Sequence, residues 1–243
     1  MKKILLVMML LFASAAHAET PQSNLTAEQP VEIGVMIDEK VKSYIAEHPE
    51  ELIASFEAYK KQQAQLAAQP IDEDIVLGSE NAPITLIEYA SLSCGHCANF
   101  YNDVFPELKA KYIDTGKVKF ILRDFPFNAA ALHGSILARC VSKDNYYDVV
   151  HTLFAEQKKW AFDQYFIENL ATYGKQYGVT REQFNVCVGD KQLQEKIMER
   201  MQEGRKKFAI DSTPSFVLNG QKTEGLNSIS RLTKVLDAVL EKD

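Results

Sequence analysis

Residues 84–90 read Ile-Thr-Leu-Ile-Glu-Tyr-Ala, and four residues later the chain carries Cys94-Gly95-His96-Cys97. A short, nearly continuous apolar run bounded by turn residues is the pattern of a buried strand. The residues after the second cysteine, to about Tyr112, follow helical spacing, with Pro106 expected to kink the helix. A strand that delivers a cysteine pair to the mouth of a helix leaves few architectures open. Ile75–Leu77 reads as a short strand before it and Gly78–Pro83 as a turn. Lys117–Phe127 reads as a second buried strand. Residues 129–207 are helical in pattern, with a capping box at Thr180 and Gln183 and an N-cap at Asp190. "DSTPSFVLNGQKTEG" then reads as strand, Asn-Gly turn and strand, and Asn227–Glu241 as a closing helix. This order predicts an α/β fold, split as 71–128 and 208–243, with an inserted all-helical domain at 129–207. The chain shows no internal repeat and no low-complexity run.

The first 70 residues bear on compartment and assembly. Lys2 and Lys3, an apolar run over Ile4–Ala13 and the small residues closing at Ala16-His17-Ala18 predict a signal peptide over 1–18, cleaved after Ala18. The run is shorter than the ~20 residues a spanning helix needs. An exported, periplasmic protein follows, in a compartment where disulfides persist. Residues 19–70 form an extension with a polar leader. Its helical pattern starts near Ile33 and restarts at "HPEEL", where Pro49, Glu50 and Glu51 suit a first turn. Ile37, Val41, Tyr44, Ile45, Leu52, Phe56, Tyr59 and Leu66 make an apolar stripe. It packs on its own domain or pairs with copies of itself, and a homo-oligomer through 31–69 is the favoured expectation.

Composition separates the remaining possibilities. With 243 residues, 46% of them hydrophobic, the chain can bury a full core, so its four cysteines are too few for a scaffold. Loss of Lys2 and Lys3 leaves 25 Lys and Arg against 33 Asp and Glu, a net −8, which disfavours a nucleic-acid partner. A zinc site would need two further ligands, and no second Cys-x-x-Cys or His-x-His cluster is present. A bridge across two residues closes too small a loop to staple a fold. A reactive dithiol explains the pair better. Cys94, at the helix mouth, meets free amides and the positive end of the helix dipole, which favour its thiolate. Gly95 would let the backbone turn tightly and His96 would add a donor. Cys97, one turn inside, would be the buried resolving partner.

"LIEYASLSCGHC" with "STPSF" far downstream resembles the DsbA family of thiol-disulfide oxidoreductases, from Ile71 to the C-terminus. The resemblance implies a thioredoxin fold with an inserted helical domain, preceded here by the N-terminal helical extension. It implies Cys94 as nucleophile and Cys97 as resolving cysteine. Thr213-Pro214 would be a cis-proline loop along which a client peptide adds as a strand. Glu88 would be a buried acid that takes up the proton of Cys97, with Arg123 or Lys119 as charge partner. Gly95 departs from the proline of the strongest oxidases and matches the dipeptide of eukaryotic protein disulfide isomerases. Because Cys94 and Cys97 need each other, Cys140 and Cys187 are expected to form a second disulfide. No metal or other cofactor is expected. His133 and His151 are expected as packing or surface residues, and Tyr146, Tyr147, Phe154, Trp160, Phe162 and Phe166 as core of the helical block.

Two redox roles remain open, oxidation of reduced clients and reshuffling of misoxidised ones, each reset by a membrane redox partner of DsbB or DsbD type. The extension resembles that of the suppressor-of-copper-sensitivity protein C group, associated with oligomers and isomerase activity, which favours an isomerase or bifunctional enzyme. Outside catalysis stand a Cu(I)-sequestering protein using Cys94, Cys97 and His96, and a non-catalytic surface protein that keeps the fold.

Overall fold

The computed structural model describes residues 39–67 and 74–241. The expected signal peptide, its cleavage after Ala18, the polar leader and Ile37 lie outside the described residues. The chain divides into two compact units, Met1–Phe56 and Glu57–Asp243. In the first, residues 39–47 are helical, His48 interrupts, and α1 (Pro49–Ala67) begins with Pro49 and with Glu50 and Glu51 in its first turn. Pro49 lacks only an amide that a first turn would leave unbonded anyway. Val41, Tyr44, Ile45, Leu52, Ile53 and Phe56 are all exposed. Among the described residues no helix is long and apolar enough to cross a membrane.

The second unit is built on a five-stranded sheet of order β1-β3-β2-β4-β5. The strands are β1 (Val76–Leu77), β2 (Ile84–Ala90), β3 (Val118–Asp124), β4 (Ser215–Leu218) and β5 (Gln221–Thr223). β2 and β3 run parallel from Ile84 opposite Val118 to Ala90 opposite Asp124, and the other pairings are antiparallel. Both central strands are buried on both faces, which is why they read as continuous apolar runs. Phe125–Phe127 leave the sheet, so the second strand is shorter than its apolar pattern predicts. Asn219 (φ 45°) and Gly220 (φ 86°) make the β4–β5 turn, where positive φ at both positions matches the right-handed strand twist.

Alternation along β2 sorts its side chains. Ile84, Leu86 and Ala90 face the larger core with Phe100, Tyr101, Leu108, Phe216 and Leu232. Ile87 and Tyr89 face the other side, against Phe125, Met201, Phe208 and Ile210. Glu88 shares the parity of the first set.

The helical run after the cysteines comprises α2 (Gly95–Asn99), a π-turn (Phe100–Val104), α3 (Phe105–Leu108) and a second π-turn (Lys109–Ile113). Pro106 sits in the first turn of α3. Instead of an isolated kink, the hydrogen-bond register widens before and after the proline, absorbing its missing amide. The helical block holds α4 (Ala129–Cys140), α5 (Tyr146–Ala155), α6 (Gln157–Trp160), α7 (Phe166–Gln176), α8 (Arg181–Val188) and α9 (Lys191–Phe208), and α10 (Ile229–Leu240) closes the fold. Thr180 and Gln183 form a reciprocal cap on α8, and Asp190 caps α9 through the Leu193 amide. Trp160, Tyr146 and Phe154 are buried in the block, whereas Phe162 is 69% exposed because it follows the end of α6 and enters no helix face.

A buried ion cluster joins β3, α9 and the segment just before β1. Asp74 accepts from Arg123 Nε (3.2 Å) and Nη2 (2.8 Å) and from Arg200 Nη1 (2.9 Å), and Arg123 Nη1 donates to Tyr89 (3.1 Å). All three charged side chains are at most 7% exposed. Removing one partner of such a pair leaves uncompensated buried charge. Asp74→Ala is expected to lower the unfolding free energy by about 3–5 kcal/mol, read as a lower urea midpoint at unchanged slope. An unchanged midpoint would show that the cluster does not hold these elements together.

Candidate active site

β2 ends at Ala90 and a turn closes through the Cys94 amide on the Ser91 carbonyl (2.9 Å). That turn sets Cys94 as the N-cap of α2, with extended backbone (φ −86°, ψ 118°), and its carbonyl accepts from the Ala98 amide (3.1 Å). Cys94 is partly exposed and Cys97, one turn on, is fully buried; both thiols are free. The Cys94 thiol donates to the carbonyl of Thr213 (3.3 Å), and Thr213-Pro214 is cis. The fold thus brings residues 119 positions apart into contact where β4 begins.

The two thiols differ by environment. Donation from the Cys97 thiol is the largest influence lowering Cys94; burial opposes it, and Thr213 with the amides of Cys97 and His96 adds to the lowering, leaving a pKa of about 5. Burial first, then the neighbouring Cys94 and Glu88, push Cys97 well above the thiol range. A thiolate at Cys94 with a proton retained at Cys97 follows.

Glu88 is fully buried on the face of the sheet that packs against the dithiol helix, and neither carboxylate oxygen has a hydrogen-bond partner. Burial raises its pKa well above the carboxylate range, and the charge at Cys94 adds to this. The expected charge partners are elsewhere. Arg123 is committed to Asp74 and Tyr89 on the opposite face, as the parity of β3 dictates, and the Lys119 amine donates to the Glu80 carbonyl (3.3 Å).

Gly95 and His96 also differ from expectation. A Cβ at Gly95 would meet nothing within 4 Å and its φ is not positive, so no steric demand requires glycine there. The His96 side chain is exposed, and its contribution to the Cys94 thiolate comes from its backbone amide. In the helical block Cys140 and Cys187 form a disulfide between α4 and α8, with Cα atoms 6.2 Å apart. His133 bonds its own helix through the Ala129 carbonyl (2.7 Å), and His151 is exposed. Among the described residues no group of three or more His, Cys, Asp or Glu stands together as metal ligands would.

The block supplies one group that the sequence did not mark. Gln157, buried in α6, donates from Nε2 to the carbonyls of Leu92 (2.9 Å) and Cys94 (3.0 Å). Its signal was a polar residue in register with Leu153, Phe154 and Trp160 on a buried helical face.

A thioredoxin-fold sheet, a dithiol at a helix mouth and a helical insertion define the class. The thioredoxin family profile matches residues 71–238. A Rickettsia bellii protein named among the protein-disulfide oxidoreductases is 36% identical over 174 residues, covering 71% of this chain and 67% of its own length. A similarly named protein of Rickettsia prowazekii is 33% identical over 173 residues, and this chain covers 63% of it, so the chain spans about two thirds of these relatives. The crystal structure of Wolbachia pipientis alpha-DsbA1 superposes with a TM-score of 0.68 at 30% identity, over 74% of this chain and 96% of that one. Oxidised BdbD of Bacillus subtilis, 22% identical over 71% of this chain and 95% of its own with a TM-score of 0.62, shares the fold. The chain belongs to the DsbA family of thiol-disulfide oxidoreductases within the thioredoxin fold.

A thiol whose folded pKa lies below its unfolded value stabilises the reduced fold above the unfolded pKa, ordinarily about 8.5. That contribution is lost as pH falls through about 5. The urea midpoint of the reduced protein is therefore expected to rise relative to that of the disulfide form between about pH 4 and about pH 8. Glu88, buried in both forms, largely cancels from the difference. A pH-independent difference would show that the Cys94 thiolate is not specially stabilised.

Proposed function

We propose that the protein is an exported, periplasmic catalyst of disulfide exchange in client proteins, favoured as an isomerase or bifunctional enzyme. The carrying observation is the asymmetry of the dithiol: an accessible Cys94 whose thiol has a pKa of about 5, beside a buried Cys97 that keeps its proton. In reshuffling, the Cys94 thiolate attacks a misplaced client disulfide and expels one client thiolate. That thiolate then attacks another client disulfide, and the client's regrouping returns Cys94 as a thiolate. If this stalls, Cys97 gives its proton to Glu88, attacks Cys94 Sγ and releases the client thiolate, leaving the Cys94–Cys97 disulfide. In oxidation, a thiolate of a reduced client attacks Cys94 Sγ of that disulfide and releases Cys97; a second client thiolate then releases Cys94. The client chain lies along Thr213 and Pro214. A membrane partner of DsbD or DsbB type supplies or removes the electron pair, according to the direction of exchange.

The stripe on the N-terminal helices supports the isomerase side. Val41, Tyr44, Ile45, Leu52, Ile53, Phe56 and Tyr59 are each more than 40% exposed, more apolar surface than scattered single residues present. Covering it with copies of residues 31–69 would set several dithiols around one client. A monomer-type oxidase is the second reading, favoured by the low Cys94 pKa, which stabilises the reduced enzyme and makes its disulfide oxidising.

Reactivation of scrambled, fully oxidised ribonuclease in a glutathione buffer separates the two. The full-length mature protein is expected to restore activity, a version beginning at Ile71 to lose most of it, and Cys94→Ser to lose all. If neither length reactivates the scrambled enzyme while both oxidise reduced ribonuclease, the oxidase reading stands instead.

A further inference from the structure

We propose that Gln157 is a positioning residue for the reacting cysteine, through which the helical block sets the acidity of Cys94 and the rate at which Cys97 resolves a mixed disulfide. The inference rests on the exchange chemistry proposed above. The loop between β2 and α2 must solve a local problem. Its turn satisfies the Ser91 carbonyl with the Cys94 amide, but leaves the Leu92 carbonyl outside the turn hydrogen bond. Leu92 is buried, so that carbonyl needs a donor from elsewhere. The Cys94 carbonyl starts the helix by accepting from Ala98 and has a second lone pair to satisfy.

One carboxamide answers both needs. A glutamine NH2 has two hydrogens, and Gln157 commits Nε2 to these two carbonyls at 2.9 and 3.0 Å. It therefore fixes the Leu92–Ser93 and Cys94–Gly95 peptide planes relative to α6. The anchor is itself firm. Trp160, one turn along, is fully buried and donates to the Leu153 carbonyl (2.8 Å). A Cβ at Gly134 of α4 would lie 3.0 Å from both Leu92 Cδ1 and Trp160, so helix, loop and indole are in close contact. The loop that carries Cys94 is held from the helical block by hydrogen bonds and by packing together.

The orientation of Cys94 decides its chemistry. Its thiolate is held by the Cys97 thiol and the amides of Cys97 and His96, all of which require Sγ to stay over the mouth of α2. Rotation of the Cys94 peptide moves Sγ away from them. The same rotation spoils the alignment of three sulfurs that Cys97 needs to expel a client thiolate from Cys94.

Gln157→Met keeps the length of the side chain and removes both donors. Thiolate absorbance is expected to titrate about one unit higher than in the wild type, a tenfold loss of thiolate stabilisation. Release of a glutathione mixed disulfide from Cys94 is expected to slow about tenfold. Gln157→Glu, similar in shape but a poor donor, should shift both in the same direction. A wild-type pKa and release rate in Q157M, with only the melting temperature lowered, would overturn the proposal and leave Gln157 a packing residue. Should neither variant fold, the wild type decides: the side-chain amide resonances of Gln157 are expected to move with the Cys94 titration, and resonances that ignore it would equally overturn the proposal. Loss of exchange in the wild type itself would instead strike the proposed function, while the titration still reports on Gln157.

Discussion

A negative charge at the mouth of α2, with a proton kept one helical turn behind it, is the constraint around which the site is arranged. Cys94 and Cys97 are three residues apart, yet one has a pKa of about 5 and the other is pushed well above the thiol range. Backbone geometry produces the split. β2 is buried along its length, so the chain leaving it enters a helix whose first amides are unpaired and face Cys94, while the next turn is driven into the core. The same burial that raises Cys97 raises Glu88 beneath it. A carboxylate whose pKa is raised in this way is a stronger base than a solvated one, as the group that takes up the Cys97 proton must be.

The helical block is tied to the sheet by two nearly buried ion pairs. Arg139 of α4 pairs with Asp124 at the end of β3 (2.5 Å), and Arg200 of α9 reaches Asp74. The first joins a helix of the insertion to β3 directly and the second through Asp74, which also binds Arg123 of β3, in each case through charges nearly removed from water. Such pairs gain little over an apolar contact but are costly to break singly, so they fix relative position more than they add stability. The insertion is thereby held in register with the loop that carries Cys94, the precondition for Gln157 to reach two carbonyls with one nitrogen.

The legible part of the structure was the part written in local patterns. Ile84–Ala90 reads as a buried strand because both faces are covered, and Thr180 to Gln183 reads as a cap because each residue completes the other's hydrogen bond three positions away. The parity of β2 would also have placed Glu88 on the dithiol side. Arg123 was misassigned as its partner because Asp74 lies 49 residues earlier, outside any strand pattern. Gln157 was missed for a related reason: its partners are main-chain carbonyls 63 and 65 residues away, and a carbonyl leaves no trace in sequence. Phe162 was read as core from its apolar character alone, but it follows the last turn of α6 and no element covers it. Gly95 was assigned a conformational role that the backbone does not require, since the turn is completed upstream by Ser91 and Cys94.

The acidity of Cys94 bears unequally on the two directions of exchange. A thiol with a pKa of about 5 is almost fully ionised at neutral pH, but its nucleophilicity falls as its pKa falls, and the optimum attacking thiol has a pKa near the ambient pH. As a leaving group the same sulfur only improves. The dithiol taken alone is therefore better suited to giving up its disulfide to a reduced client than to opening a client's disulfide. Reshuffling on such a centre has to recover efficiency another way, by keeping the client close while slow attacks succeed. A raised local concentration does this without any change at the sulfur. The isomerase reading thus depends on the exposed stripe over Val41–Tyr59, not on Cys94, and the two parts of the chain would be separable in function: the thioredoxin-fold unit sets what each thiol can do, and the N-terminal helices set how long a client stays to have it done.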